Sequence, residues 1–235
     1  MGRAFEFRRA RKERRWDKMA KTFTKIGREI AIAVKSGGPL PETNPRLRLA
    51  VQNAKGANMP KDRVESAIKR ASSKEAGEYQ EVVYEGYGPH GVAIVVECAT
   101  DNPTRTVANI RNYFTHSGGS LGTSGSLDFL FERKGVFRIP SDGVDVDALS
   151  LELIDAGAED IQVEDGEIFI YTQFTDFGAM QKALEERSTE ATSSELQRIP
   201  ASTVELTDDQ ADEIITLIDK IEDDDDVQNV FSNIA

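Results

Sequence analysis

The chain is poor in the residues most often recruited for chemistry. A single cysteine, Cys98, excludes an internal disulfide, and two histidines, His90 and His116, leave little for zinc coordination. The longest purely apolar runs, 30–34 and 92–96, are five residues each, so no membrane-spanning helix is encoded, and the sequence opens without the apolar stretch of a signal peptide. These shortages predict a protein of a reducing, cytoplasmic compartment with no membrane partner. No Ser/His/Asp order, nucleophile elbow or paired-carboxylate motif stands out, so the expectation is a protein that is not an enzyme, with no catalytic residue, cofactor or metal ligand.

What is present is charge, unevenly distributed. The formal net charge of -12 over 235 residues averages two opposite halves. Residues 1–76 hold 20 Lys+Arg against 8 Asp+Glu, whereas 77–235 hold 9 against 33. A basic head on an acidic body is the pattern of a polyanion-binding module joined to something that must not itself adhere to polyanions.

The head reads as helical. Phe23, Ile26, Ile30, Ala33 and Val34 recur at helical spacing before a stop at Ser36-Gly37-Gly38-Pro39. Asn44-Pro45 is an N-cap followed by proline at the first helical position, with Leu47, Ala50, Val51 and Ala54 on one face. Pro60 opens a third helix with the face Val64, Ala67, Ile68 and Ala71. From Tyr79 strands take over: 82–84 and 92–97 flank a glycine-rich turn, Asn102-Pro103 caps a helix carrying Val107, Ile110 and Phe114, and 127–131 reads as a third strand. Residues 134–200 then repeat strand, helix, strand, strand, helix, strand, the ferredoxin-like βαββαβ order, with Asp165-Gly166 as its hairpin turn. The last 32 residues, a helix over 208–222 and a strand over 227–231, are too few to stand alone. The predicted fold is therefore α+β in three domains: a basic helical bundle over 1–76, a discontinuous α/β middle domain from 77–132 and 203–235, and an inserted ferredoxin-like domain over 133–202.

The strongest candidate for function is the basic run Arg8, Arg9, Arg11, Lys12, Arg14, Arg15, Lys18, Lys21, Lys25 and Arg28. Within it Arg8, Arg11, Arg15, Lys18, Lys21, Lys25 and Arg28 step by three or four, which makes one side of a helix cationic. On a continuous helix the stripe drifts, so a break near 20–22 would align each half better. Trp16 and Phe23 are interleaved and either stack on bases or pack. The glycine-rich stretch 118–126 follows a helix and precedes a strand, the reverse of a phosphate-cradling loop, and reads as a helix C-cap and tight turn. Glu222-Asp223-Asp224-Asp225-Asp226 lacks calcium-loop spacing and reads as a solvated acidic turn. Cys98 reads as a buried strand residue.

The strings Phe23-Thr24-Lys25-Ile26, Asn44-Pro45-Arg46-Leu47-Arg48, Asn58-Met59-Pro60, Tyr84-Glu85-Gly86-Tyr87-Gly88-Pro89, Asp101-Asn102 with Arg105-Thr106, Gly118-Gly119 with Leu121-Gly122, and Ala156-Gly157-Ala158-Glu159-Asp160 resemble the YebC family in order and spacing over nearly the whole chain. That family includes bacterial proteins described as probable transcriptional regulators and a mitochondrial translational activator of cytochrome c oxidase. The resemblance implies a helical N-terminal domain with two α/β domains, and nucleic-acid binding without catalysis, on DNA in some members and in ribosome-linked translation in others. The chain departs from the family's Gly-His-Ser-Lys-Trp opening, having Gly2-Arg3-Ala4-Phe5-Glu6-Phe7 and its tryptophan at Trp16, and it has His90 where many relatives have glycine. Arginine and lysine contacts to phosphate serve DNA and RNA alike, so the reading from residues leaves the nucleic acid and the stage of gene expression open. A different class stays open beside it, an adaptor whose acidic body binds ribosomal or polymerase proteins.

Overall fold

The structure, a computed structural model, describes the backbone of residues 3–73, 77–187, 189 and 191–235, with side chains from residue 19 onward. Among these residues seven α-helices accompany two four-stranded antiparallel sheets, a mixed α/β architecture. The chain divides into two compact units, Met1–Tyr79 and Gln80–Ala235.

The first unit is helical. Helix α1 (Arg3–Gly37) runs unbroken for 35 residues, about 52 Å at ~1.5 Å per residue. The break near 20–22 that would align the stripe is absent, because no proline or glycine stands there and a drifting charge stripe places no constraint on the backbone. Among the described residues of α1, Ile26, Ile30, Ala33 and Val34 pack with Leu47, Ala50 and Ala54 of α2 (Pro45–Gly56) and with Val64 and Ala71 of α3 (Lys61–Ala71). Asn44 fixes the α1–α2 turn. Its Oδ1 accepts the Leu47 amide at 3.1 Å as the N-cap, while its Nδ2 donates to the carbonyls of Ala33 at 2.7 Å and Gly38 at 2.8 Å. A Cβ on Gly37 would lie 2.8 Å from the Asn44 side chain, so the turn also requires glycine there.

In the second unit, β1 (Gln80–Tyr87) and β2 (Ala93–Thr100) form a hairpin. β2 also pairs with the last strand, β8 (Val227–Ser232), and β1 with the two-residue β3 (Ser120–Leu121), giving the order β3-β1-β2-β8. α4 (Pro103–His116), capped by Asn102, and α7 (Asp208–Glu222) cover one face of this sheet, where Ile110, Phe114, Ile214, Leu217 and Ile221 meet Ile94, Val96 and a buried Cys98. The expected strand over 127–131 is a turn instead. Leu127 and Phe131 plug the opposite face of the sheet against Ala93 and Val95, and β4 (Phe131–Pro140) begins only at Phe131. Leu127 and Phe131 of the apolar run fill a core, whereas Phe129 is exposed.

The remaining elements follow the βαββαβ order read from the sequence: β4, α5 (Val146–Leu153), β5 (Ala158–Glu164), β6 (Glu167–Gln173), α6 (Phe177–Glu186) and β7 (Ser193–Pro200). Their sheet has the order β5-β6-β4-β7. Asp165 at φ 49° and Gly166 at φ 80° make the β5–β6 turn, the two positive values that a type I′ hairpin needs. Phe137, Ile139, Ile168 and Ile170 point into a core closed by Leu149, Leu153, Met180 and Leu184 from α5 and α6. Arg198 of β7 ties this sheet to the first, with its Nε 2.9 Å from Glu97 Oε1 of β2.

Candidate nucleic-acid interface

Helix α1 carries the residues that the sequence singles out. Lys21, Lys25 and Arg28 stand at steps of four and three, roughly opposite the buried Ile26, Ile30, Ala33 and Val34. All three are half-buried rather than fully extended into water, and each has an interaction partner. The Arg28 guanidinium lies 5.2 Å above the Tyr79 ring, so this cation also fastens the end of the unit to α1. The side chains of Arg8, Arg9, Arg11, Lys12, Arg14, Arg15 and Lys18, and that of Trp16, lie outside the described residues. Phe23 is half-buried under the Arg63 guanidinium at 5.8 Å, which favours packing over a free stacking platform.

The structure adds cations that the stripe omits. Arg63, Lys69 and Arg70 are exposed on α3, and Arg46 is exposed in the first turn of α2. Lys69 and Arg70 occupy the last turn of α3, where the helix dipole favours positive charge. No periodic stripe marks them. The 20-to-8 excess of the head was the one sequence signal able to find them.

Two other candidates resolve into structural roles. The end of the glycine-rich loop is held by an internal carboxylate, and the amides of Gly118, Gly119, Gly122 and Ser126 donate to backbone carbonyls. Glu85, 3% exposed on β1, accepts from the amides of Gly125 at 2.9 Å and Leu127 at 2.7 Å. A phosphate would have to displace it. The acidic run after α7 is only partly solvated, a correction to the expected turn. Asp226 is 2% exposed and accepts from Thr106 Oγ1 at 2.8 Å, Thr100 Oγ1 at 3.1 Å and the Arg105 guanidinium at 2.6 Å. Asp224 accepts from Asn109 Nδ2 and the Tyr113 hydroxyl, both at 3.1 Å. Burial first, and the Asp224 charge second, push the Tyr113 hydroxyl above its ordinary pKa. These carboxylates latch the C-terminal turn onto α4. Among the described residues no group of three or more His, Cys, Asp or Glu is arranged to hold a metal ion, and no helix is long and apolar enough to cross a membrane.

Comparison with known proteins covers both units. Residues 3–74 match the family model described as the TACO1/YebC protein N-terminal domain, and residues 79–234 match the TACO1/YebC second and third domain. A protein of Cytophaga hutchinsonii called "Probable transcriptional regulatory protein" is 60% identical over 100% of this chain and 99% of its own length. One of the same description from Flavobacterium johnsoniae is 56% identical over 98% of each chain. The crystal structure of a conserved hypothetical protein, Aq1575, from Aquifex aeolicus has a TM-score of 0.82 and 40% identity, over 92% of this chain and 90% of that one.

Proposed function

The chain belongs to the TACO1/YebC family, and from that premise we propose that it is a non-enzymatic, cytoplasmic regulator of gene expression that grips nucleic acid with its basic head. The names of its relatives support a regulatory role in transcription. The observation that carries nucleic-acid binding is the concentration of positive charge in residues 1–76, with 20 Lys+Arg to 8 Asp+Glu, against 9 to 33 in residues 77–235. The interface comprises Arg8, Arg9, Arg11, Lys12, Arg14, Arg15, Lys18, Lys21, Lys25 and Arg28. A helix of ~52 Å follows several phosphates along a groove or a folded RNA surface. Because these contacts are to phosphate, the same head serves DNA in transcription or RNA on the ribosome in translation, and its affinity is expected to vary little with sequence.

The test is to compare residues 1–79 with 80–235 in titrations of duplex DNA and structured RNA. The head is expected to retain the affinity of the full chain. Neutralising six to eight phosphates gives a slope of log K against log salt of roughly -5 to -7 on duplex DNA. Equal affinity of the acidic unit would refute the assignment. A slope near zero would favour the adaptor reading, in which protein contacts dominate.

A further inference from the structure

The second sheet has two faces, and among the described residues one of them packs into a core. Phe137 and Ile139 of β4 and Ile168 and Ile170 of β6 point at α5 and α6. By strand alternation Val136 and Arg138, with Phe169 and Tyr171, point the other way. The register pairs Val136 with Tyr171 and Arg138 with Phe169, so the four lie together at the middle of that second face. No buried hydrophobic cluster among the described residues includes any of them. Val136 is buried as the floor, and the two rings are half-exposed.

The rim is acidic. Asp160 on β5 lies across from Tyr171, Glu164 from Glu167, and Glu195 on β7 from Val136. Both cations of the face are already committed. Lys134 bridges Glu132 at 2.9 Å and Glu159 at 2.5 Å, while Arg138 Nε lies 3.5 Å from Glu167 and its guanidinium 4.9 Å above the Phe169 ring. Asp160, Glu164 and Glu195 are exposed and form no ion pair among the described residues. The field is felt at the centre: burial first, then Glu164 and Asp160, raise the Tyr171 hydroxyl above its ordinary pKa against the opposing pull of Arg138.

We propose that this helix-free face of β5-β6-β4-β7 is a docking surface for a lysine- and arginine-rich segment of a partner protein. The long aliphatic stems would lie over Val136 and the aromatic rings, the Tyr171 ring would receive a cation on its face, and the unpaired rim carboxylates would take the charged heads. An open sheet with aromatics on a central strand is also how some modules stack single-stranded RNA, but a polyanion would meet an excess of carboxylates here, and charge complementarity selects a polycation. The inference is independent of the basic head.

The test uses the full chain and a fluorescein-labelled ten-residue lysine–arginine peptide, followed by anisotropy. Asp160→Lys with Glu164→Lys reverses the rim. Asp212→Lys with Asp219→Lys makes the same charge change on exposed positions of α7. Rim reversal is expected to weaken peptide binding by at least about tenfold, and the α7 pair by less than about twofold. All four positions are exposed, and matching melting curves establish that the variants fold. Equal weakening by both pairs would show attraction to overall acidity and overturn the proposal. So would a rim reversal that leaves the peptide unaffected and changes the binding of a labelled single-stranded oligouridine, which would make the face a nucleic-acid surface.

Discussion

Replacing Asn44 tests whether one side chain holds the head together. Asn44 is 3% exposed and satisfies three backbone groups: the Leu47 amide and the carbonyls of Ala33 and Gly38. In Asn44→Ala the lost cap costs about 1 kcal/mol. The two lost carbonyl bonds cost about 1 kcal/mol each, for a total of about 3 kcal/mol. A unit of this size has a stability of only about 4–12 kcal/mol, so the loss is large. Asn44→Asp is the sharper perturbation. Aspartate is as good an N-cap as asparagine in general, and here it keeps the acceptor for Leu47, but it replaces the amide donor with an oxygen facing two carbonyl oxygens. It is therefore expected to destabilise at least as much as alanine. Urea unfolding of residues 1–79, followed by far-ultraviolet circular dichroism, measures both. If Asn44→Asp lies within about 0.5 kcal/mol of the parent, the donor bonds carry nothing and the reasoning fails.

Further outcomes follow from the second unit. Glu85→Ala removes two charge-assisted backbone bonds and orphans the amides of Gly125 and Leu127, an expected loss of about 3–5 kcal/mol in denaturant unfolding; a loss under about 1 kcal/mol would show that the loop holds itself. Lys134 first, then Gln173, hold the Glu159 carboxyl below its ordinary pKa, so this contribution is complete above the unfolded carboxyl value and disappears as pH falls through the folded one. The stability gap between the parent and Lys134→Met should therefore narrow on acidification, and a gap that widens would contradict the assignment. We also propose that 133–202 is an inserted domain: joining Glu132 to Thr203 through a short flexible linker keeps Phe131 against Ala93 and Val95, and cooperative unfolding of the shortened chain is the expected result. A broad, non-cooperative transition would place the boundaries elsewhere.

Local chemistry was legible in the sequence and distant pairing was not. Asn44-Pro45 and Asn102-Pro103 announce helix starts because an N-cap bonds only three residues ahead, and both caps are found. The βαββαβ order was readable because each element there carries its own periodicity. Strand β3 is two residues long and has no period to read, while the apolar 127–131 imitates a strand although Leu127 and Phe131 serve as a plug. The burial of Asp226 depends on Thr100, Arg105 and Thr106, more than 100 residues away, and nothing in an aspartate run distinguishes the buried member. In the head the same limit applies: spacing finds Lys21, Lys25 and Arg28 on one side of α1, but it does not disclose that the Arg28 guanidinium lies over Tyr79.

The most direct test of the account reverses Arg11, Arg14, Arg15 and Lys18 to Glu in the full chain, then measures melting temperature beside binding to DNA, RNA and ribosomes as a function of salt. Arg11, Arg14, Arg15 and Lys18 lie outside the apolar positions 23, 26, 30, 33 and 34 read from the sequence of α1, so melting is expected to change little. Losing four phosphate contacts should reduce the steepness of log K against log salt by roughly 3 to 4 on duplex DNA, with similar losses across unrelated sequences. If only ribosome binding disappears, translation becomes the role of the head. A variant that melts normally and binds every partner with the salt dependence of the parent would contradict the claim that this helix is the nucleic-acid interface.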